Sequence, residues 1–432
     1  MRRLVRKFIL SVLAVALSLV QFRWTGNHSR ITIPINPSRL DESIDCAATT
    51  LQQCHDGHHK HVISPSRPFP FKGARNETGH YGYVHDPCIL IRWPLPLQHL
   101  DEICHALPGN GTEGRAGQLI VDHIIVFGDH PSPKRRPINY THPEIAGVAK
   151  LRIFCSLYTY TGGNNLTDAI RETWGKDCDG FLAASSETVA SHATVDISHF
   201  GRPNLYESIW NRVQSAIVYI YEYFLFDYDF FYFCGDDTFL IVENLRYFLE
   251  SEAVQNATAT NKPFHAGGWL HPFPHANIIP HGFHYNGGGG GYVLNRAALE
   301  LLVHNLSNET IDCQQSNEQS AEDYYVALCL WNYGNISSFD TTDHLARNRF
   351  HLTEPNTLAT GGGHSWKRWW GKQVSQLRRM HQYPHLKQMQ EYGTQSVSPE
   401  SISFHGIGDP DYMRRLYLLF HPVISSVFCP NW

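Results

Sequence analysis

The stretch "DYDFFYFCGDDTFLIVENL", residues 227–245, runs an aromatic segment straight into two adjacent carboxylates, Asp236 and Asp237, and returns at once to apolar sequence. Tyr228 to Phe233 is dense in side chains that suit a pleated, buried surface, which predicts a strand. Like charges side by side at a strand end repel unless a positive partner offsets them. Oxygen donors in that position suit Mg²⁺ or Mn²⁺, which bind through one or two carboxylates and fill their coordination with substrate phosphates. An ordinary turn rich in Asp is the plainer alternative, and the flanking sequence has to decide between them.

On the N-terminal side, Ile209, Val213, Ile217, Ile220 and Phe224 recur at helical spacing behind a capping pair, Asn204 and Glu207. That helix feeds the aromatic strand. Earlier still, "LRIFCSLYTY" (151–160) predicts a strand that ends in a Gly-Gly-Asn-Asn turn, and "LTDAIRETWGKDC" (166–178) a helix capped by Thr167 or Asp168. "GFLAASS" (180–186) predicts another strand, and Thr238 to Leu249 a helix after the acidic pair. Alternating strands and helices imply an α/β sheet, whose ligands gather beyond the carboxyl ends of the strands. Asp236 and Asp237 stand at such an end.

Three later segments carry chemistry. In "HYNGGGGGYVLNRAAL" (284–299) a glycine run precedes a strand and then a helix, so a sugar or pyrophosphate can approach main-chain amides closely. No Gly-Lys-Ser/Thr follows, so this is not a Walker loop. "QSAEDYYVALCLW" (319–331) sets Ser320 three residues before Asp323, like the start of a capped helix. "SISFHGIG" (401–408) puts His405 between a short β-like run and glycine, where a lone His is ordinarily structural.

The chain has 432 residues and a net charge of −5 without a long basic block, which argues against a nucleic-acid partner. The first residues, "MRRLVRKFILSVLAVALSLVQFRW", carry an apolar run whose length alone suits a cleaved signal peptide, but the basic residues on the cytosolic side and the lack of a clear cleavage site favour a cytosolic tail (1–7) and an uncleaved signal-anchor segment (8–24). A stem or variable region is expected over 25–147, with one convincing strand at "QLIVDHIIVF" (118–127), and an organised domain over 148–432. "CHDGHHKH" (54–61) lacks regular ligand spacing and reads as solvated sequence. Ten cysteines without a C-x-x-C pair, and N-x-S/T sequons starting at Asn27, Asn76, Asn110, Asn139, Asn165, Asn256, Asn305, Asn308 and Asn335, agree with a lumenal, secretory location.

Taken together, "YDFFYFCGDDTFLIVENLRYFL" resembles the acidic block of the β1,3-glycosyltransferases and is most similar to the core 1 synthase group, whose block runs aromatic strand, Asp-Asp-Asp-Thr, Asn-Leu-Arg. The likeness continues in order through "AIRETWGKDC", "NGGGGGYVLNRAAL", "AEDYYVALCL" and "SISFHGIG", covering roughly residues 150 to 415. It implies a GT-A-like α/β domain with a mixed central sheet that transfers galactose from UDP-galactose, with inversion, in β1,3 linkage to O-linked GalNAc on Ser or Thr. By that resemblance Asp323 is the catalytic base, and Asp237 and His405 are metal ligands, a pairing that favours Mn²⁺. Asp236, Arg171, Gly288, Gly289 and Glu322 fall on the nucleotide-sugar side, while Trp174 is assigned to structure. It also implies disulfides Cys155–Cys178 and Cys313–Cys329, a type II Golgi membrane protein, and room for a homodimer.

One position departs from the pattern: Gly235 stands where the family has its first acidic residue, beside an atypical Cys234. A disulfide from Cys234 to Cys429 is conceivable, and the departure leaves two other readings open. One is a different β1,3-transferase using UDP-GlcNAc or a Fringe-like acceptor; the other is a lumenal chaperone that keeps the fold without turnover. Retention of Asp236, Asp237, Asp323 and His405 favours the enzyme.

Overall fold

In the computed structural model the chain separates into two units, residues 1–59 and 60–432. The structure describes residues 151–189, 194–197, 209–272, 283–307 and 321–421, with short pieces between 62 and 136 and the single residues 192 and 313. The first unit with the predicted anchor, most of the expected stem, Asn204, Glu207 and Ser320 lie outside the described residues. Among the described residues no helix is long and apolar enough to cross a membrane.

The described part of the second unit is mixed α/β. The elements that position the site are, in chain order, β1 (Ile153–Tyr158), α1 (Asn164–Glu172), β2 (Gly180–Ser185), β3 (Thr194–Asp196), α2 (Ile209–Phe224), β4 (Phe230–Gly235), β5 (Phe239–Leu240) and α3 (Val242–Leu249). There follow β6 (His265–Gly267), β7 (Trp269–Leu270), β8 (Tyr285–Asn286), β9 (Tyr292–Asn295), α4 (Arg296–Ser307), α5 (Glu322–Gly334), β10 (Phe350–His351), α6 (His364–Leu377), β11 (Ser403–Phe404) and α7 (Pro410–Phe420). Six strands form the central sheet in the order β6-β9-β4-β1-β2-β3. β4, β1, β2 and β3 run parallel, whereas β9 lies antiparallel to β4 and β6 antiparallel to β9.

The aromatic run in β4 follows from burial on both faces. Alternate side chains of a strand leave opposite sides of the sheet. Phe230, Tyr232 and Cys234 enter one core with Ile170, Trp174 and Leu245, while Phe231 and Phe233 enter the other with Val213, Ile217, Ile220 and Leu302. A strand covered by helices on both sides has no polar face to present, so it reads as an unbroken apolar run. Each such side chain contributes about 1.5 to 3 kcal/mol by leaving water. The charge therefore begins only where the sheet ends.

Most elements fall where the periodicity places them, and the differences have local causes. β4 begins at Phe230 and extends to Gly235, because its parallel register with β1 continues to the pair Tyr158–Gly235. α1 starts at Asn164 with Gly163 at its N-cap; Thr167 lies inside the helix and donates to the Gly163 carbonyl at 3.2 Å, so neither Thr167 nor Asp168 caps it. The residue before α5 is Ala321, and its side chain makes no cap. Among the described residues of the 118–127 segment, Ile120 and His123 are helical and Val126–Phe127 is a strand, paired with Arg135–Arg136. Between the acidic pair and α3 lies β5, which pairs antiparallel with β11 through Leu240–Ser403 and Phe239–Phe404. That pairing joins two distant segments and carries no local signal.

Disulfides Cys155–Cys178 and Cys313–Cys329 are both formed, and Cys234 is a buried free thiol. The first ties β1 to the turn after α1. The second ties the segment before α5 to the helix itself.

Candidate active site

The carboxyl ends of β1 and β4 are neighbours by register, so the residues that follow them meet. Thr159 follows β1, and its hydroxyl donates to Asp236 Oδ2 at 2.6 Å. The Thr159 carbonyl in turn accepts from Arg212 Nη1 at 2.8 Å, a buried guanidinium on α2. Arg212 Nη2 has no hydrogen-bond partner among the described residues. Burial lowers the Arg212 pKa, opposed by the charge of Asp236, and burial pushes Asp236 up to about 6. Gly163, at the start of α1, lies so close to Asp236 that an added Cβ would stand 2.2 Å from Oδ2. A helix N-terminus and a buried cation thus flank one carboxylate of the pair.

The β5–β11 pairing positions the other carboxylate. Phe239 faces Phe404, so Asp237 and His405 emerge side by side, with His405 Nε2 3.2 Å from Asp237 Oδ2. The Ile407 amide donates to the Asp237 carbonyl at 2.8 Å and fixes the crossing. His405 Nδ1 faces the Leu352 carbonyl at 3.3 Å, which leaves Nε2 directed to the carboxylate. Burial alone would lower the His405 pKa; the hydrogen bond to and charge of Asp237, with the Leu352 carbonyl, outweigh it and the net shift is upward. One carboxylate oxygen and one imidazole nitrogen held together, each about a third exposed, suit a divalent ion such as Mn²⁺. A backbone carbonyl behind the other ring nitrogen is the support that ligating histidines use.

The glycine run forms a turn between these groups and α5. Gly288–Gly290 is a single tight turn ahead of β9; Gly288 and Gly289 each meet a different side chain of the site, and Gly290 meets the His351 backbone. A Cβ on Gly288 would come within 2.1 Å of Glu322 Oε1, and one on Gly289 within 2.6 Å of His405 Nδ1. Gly291 has φ +74°, in the region that favours glycine, and packs against the Tyr232 hydroxyl. Thr238 donates to the Gly289 carbonyl at 2.9 Å, tying the acidic turn to the glycine turn. Close approach, rather than flexibility, accounts for the run.

Across that turn, the Gly288 amide donates to Asp323 Oδ2 at 2.8 Å, while Oδ1 accepts from the Tyr324 amide at 2.7 Å. Asp323 also lies in the first turn of α5, where the helix dipole favours negative charge. Its neighbour Glu322 is buried and accepts from the Tyr158 hydroxyl at 3.0 Å. Burial and the charge of Asp323 push Glu322 up to about 8. Burial also raises Asp323, and its amide donors offset only part of that rise. The two adjacent acids thus differ in their surroundings: the amide donors favour ionisation at Asp323, and burial beside that charge favours proton retention at Glu322.

The fold thus brings Asp236, Asp237, His405, Gly288, Gly289, Glu322 and Asp323 to one end of the sheet. Arg171 does not join them: it sits at the far end of α1, paired with Asp168 at 3.2 Å, two turns or roughly 12 Å from Gly163. Trp174 is buried against Phe181. Tyr158, Thr159 and Arg212 complete the site without having stood out in the sequence. The signal available for the first two is their position at the end of a parallel strand. A further acidic and histidine group, Asp177, Glu243 and His421, brings its ligand atoms within 4.8 Å of one another. It faces the ammonium of Lys176, whose charge interacts with both acids.

Gly235 lies at the centre of this geometry. A Cβ there would stand 3.1 Å from Asp237 Oδ1 and 3.5 Å from the Tyr158 ring, so the space of a further acidic side chain is bordered by tyrosine.

No family model matches the chain. Glycoprotein-N-acetylgalactosamine 3-beta-galactosyltransferase 1 of Xenopus laevis is 30% identical over 276 residues, which cover 63% of this chain and 67% of that protein. The chain therefore belongs to the core 1 synthase-like β1,3-glycosyltransferases, and it is a glycosyltransferase.

Proposed function

We propose that the protein is an inverting, Mn²⁺-dependent galactosyltransferase with a GT-A-like domain. It transfers galactose from UDP-galactose in β1,3 linkage to GalNAc on Ser or Thr of glycoproteins. The observation that carries this reading is the Gly288–Asp323 hydrogen bond at 2.8 Å, which holds a carboxylate beside the glycine turn that also contacts His405.

Asp323 accepts the proton of the acceptor hydroxyl as that oxygen attacks the anomeric carbon from the face opposite the leaving UDP. The hydroxyl becomes acidic only as the new bond forms, so a positioned carboxylate suffices and no covalent intermediate is required. The Gly288 and Tyr324 amides fix Asp323 without exhausting its lone pairs. Neutral Glu322 adds no second charge beside the base. Asp237 and His405 would hold the metal, which when bound neutralises charge on the departing diphosphate. Asp236 and the main chain at Gly288 and Gly289 border the space for the nucleotide sugar, with the buried Arg212 guanidinium supporting Asp236 from behind through Thr159.

The lumenal Golgi membrane is the compartment that the N-terminal segment, the sequons and the two disulfides support together. A panel of nucleotide sugars offered with GalNAc-α-benzyl, with and without EDTA, tests the assignment. UDP release with UDP-galactose that EDTA abolishes is expected; release with UDP-GlcNAc instead would move the protein to another donor class.

A further inference from the structure

Helix α6 carries a charge pattern that its own fold does not explain. Its inner face, Trp370, Gln373, Val374 and Leu377, is buried. Trp370, Val374 and Leu377 pack with Trp269 and Leu270 of β7, and the Gln373 side chain accepts from the His271 amide at 2.8 Å. Its outer face forms one wall of a groove of about 460 Å³ lined by Lys367, Arg368, Lys372, Ser375, Gln376 and Arg379. Arg368, Lys372 and Ser375 follow at four and three residues and share one stripe of the helix, and Arg379 extends the lining from the turn just after it.

Two features make this stripe costly for an isolated helix. Arg368 and Lys372 are like charges one turn apart, which repel. Lys367 and Arg368 lie in the N-terminal half of a helix with no acidic residue in its first turn, where the dipole disfavours cations. The one carboxylate lining the groove, Glu391, is engaged with Arg378 at 3.7 Å. Arg368, Lys372 and Arg379 have no ion-pair partner among the described residues. A concentrated positive groove on a chain whose net charge is −5 complements an anionic partner.

A chain of side chains links the groove wall to the site. Leu352, whose carbonyl faces His405 and whose side chain abuts Gly287, shares a small cavity with Trp366, Trp370 and Glu391, and Glu391 lines the groove as well. No apolar side chain lines the groove, which disfavours insertion into a bilayer, while Ser375 and Gln376 offer neutral hydrogen-bond partners to a polypeptide. We propose that this groove docks an acidic, Asp/Glu-rich stretch of the acceptor polypeptide beside its glycosylated residue. The proposal rests on the transferase reading above.

The test compares two GalNAc-threonine peptides that differ only in an Asp/Glu-rich or a Ser/Gly-rich flank, using wild type, Lys372→Glu/Arg379→Glu and the milder Lys372→Gln/Arg379→Gln. The acidic peptide should show a KM about tenfold lower in wild type at low salt, with kcat unchanged, and the advantage should vanish in both variants and at high salt. Activity on GalNAc-α-benzyl should be the same in all three proteins. Equal KM values for the two peptides in wild type, or an acidic preference that survives in both variants, overturns the proposal. So does a result in which the variants lose only binding to heparin or to phosphatidylserine vesicles. Fluorescence anisotropy of the acidic peptide needs no turnover, so loss of the groove proposal stays distinguishable from failure of the assigned reaction.

Discussion

Asp323 and Glu322 are consecutive, yet they lie in opposite electrostatic settings: Asp323 accepts two backbone amides, from Gly288 and Tyr324, whereas Glu322 is buried against the Tyr158 hydroxyl. Only one of the pair is equipped to carry a proton away from an acceptor. Replacing it by Asp323→Asn keeps the shape and removes the base. The expected result is a kcat lower by about 10² to 10⁴ with UDP affinity in the presence of Mn²⁺ preserved, measured by steady-state kinetics and calorimetry. A comparable loss of UDP affinity would instead make Asp323 a nucleotide-binding group.

Glu322 makes stability depend on pH. A carboxyl whose pKa rises on folding, here from 4.5 to about 8, binds more protons in the folded than in the unfolded state across that interval. Its contribution is therefore fully present below 4.5 and declines as pH rises toward about 8. Thermal unfolding should show the midpoint falling over this range, with Glu322→Gln flattening the slope by roughly 1 to 3 kcal/mol across it. An unchanged slope in that variant would mean that Glu322 is ionised in the folded protein.

Asp237→Asn and His405→Ala each remove one of two donors that stand 3.2 Å apart. Each should weaken Mn²⁺-dependent UDP binding roughly tenfold or more, while metal-free UDP binding changes little. Titration calorimetry with and without Mn²⁺ separates the two. Equal losses under both conditions would point to direct contact with the nucleotide.

Gly235 sits against Asp237 and Tyr158, so an added methyl at 3.1 Å from Asp237 Oδ1 forces a shift of a few tenths of an ångström. Gly235→Ala should cost at most about 1 kcal/mol of stability. Gly235→Asp adds a third carboxylate and should lower the unfolding midpoint without metal, yet increase the stabilisation that Mn²⁺ provides. A thermal shift series over Mn²⁺ concentration reads both effects; equal metal stabilisation in variant and wild type would show that position 235 does not face the ion.

How much of this was legible depended on whether the signal was local. The helix through Ile209 and Phe224, the strand that ends at the acidic pair and the glycine turn ahead of Tyr292 each announce themselves by period or composition. The Asp237–His405 contact does not, because it is made by two-residue strands from distant segments whose pairing depends on the whole sheet being formed. Tyr158, Thr159 and Arg212 carry no local signal for the same reason: an ordinary tyrosine, threonine and arginine become site residues only through the register of β1 against β4 and the packing of α2. Arg171 illustrates the converse. Its charge suggested a ligand contact, but the helix carries it away from the strand ends and pairs it with Asp168.

The central claim is tested most directly by the structure of the product formed from UDP-galactose and GalNAc-α-benzyl in the presence of Mn²⁺. Nuclear magnetic resonance should show a galactose in β configuration on the 3-hydroxyl of GalNAc, with no product when EDTA is added or when Asp323→Asn replaces the wild type. An α-linked product, or the absence of UDP release with every donor tried, would contradict the account.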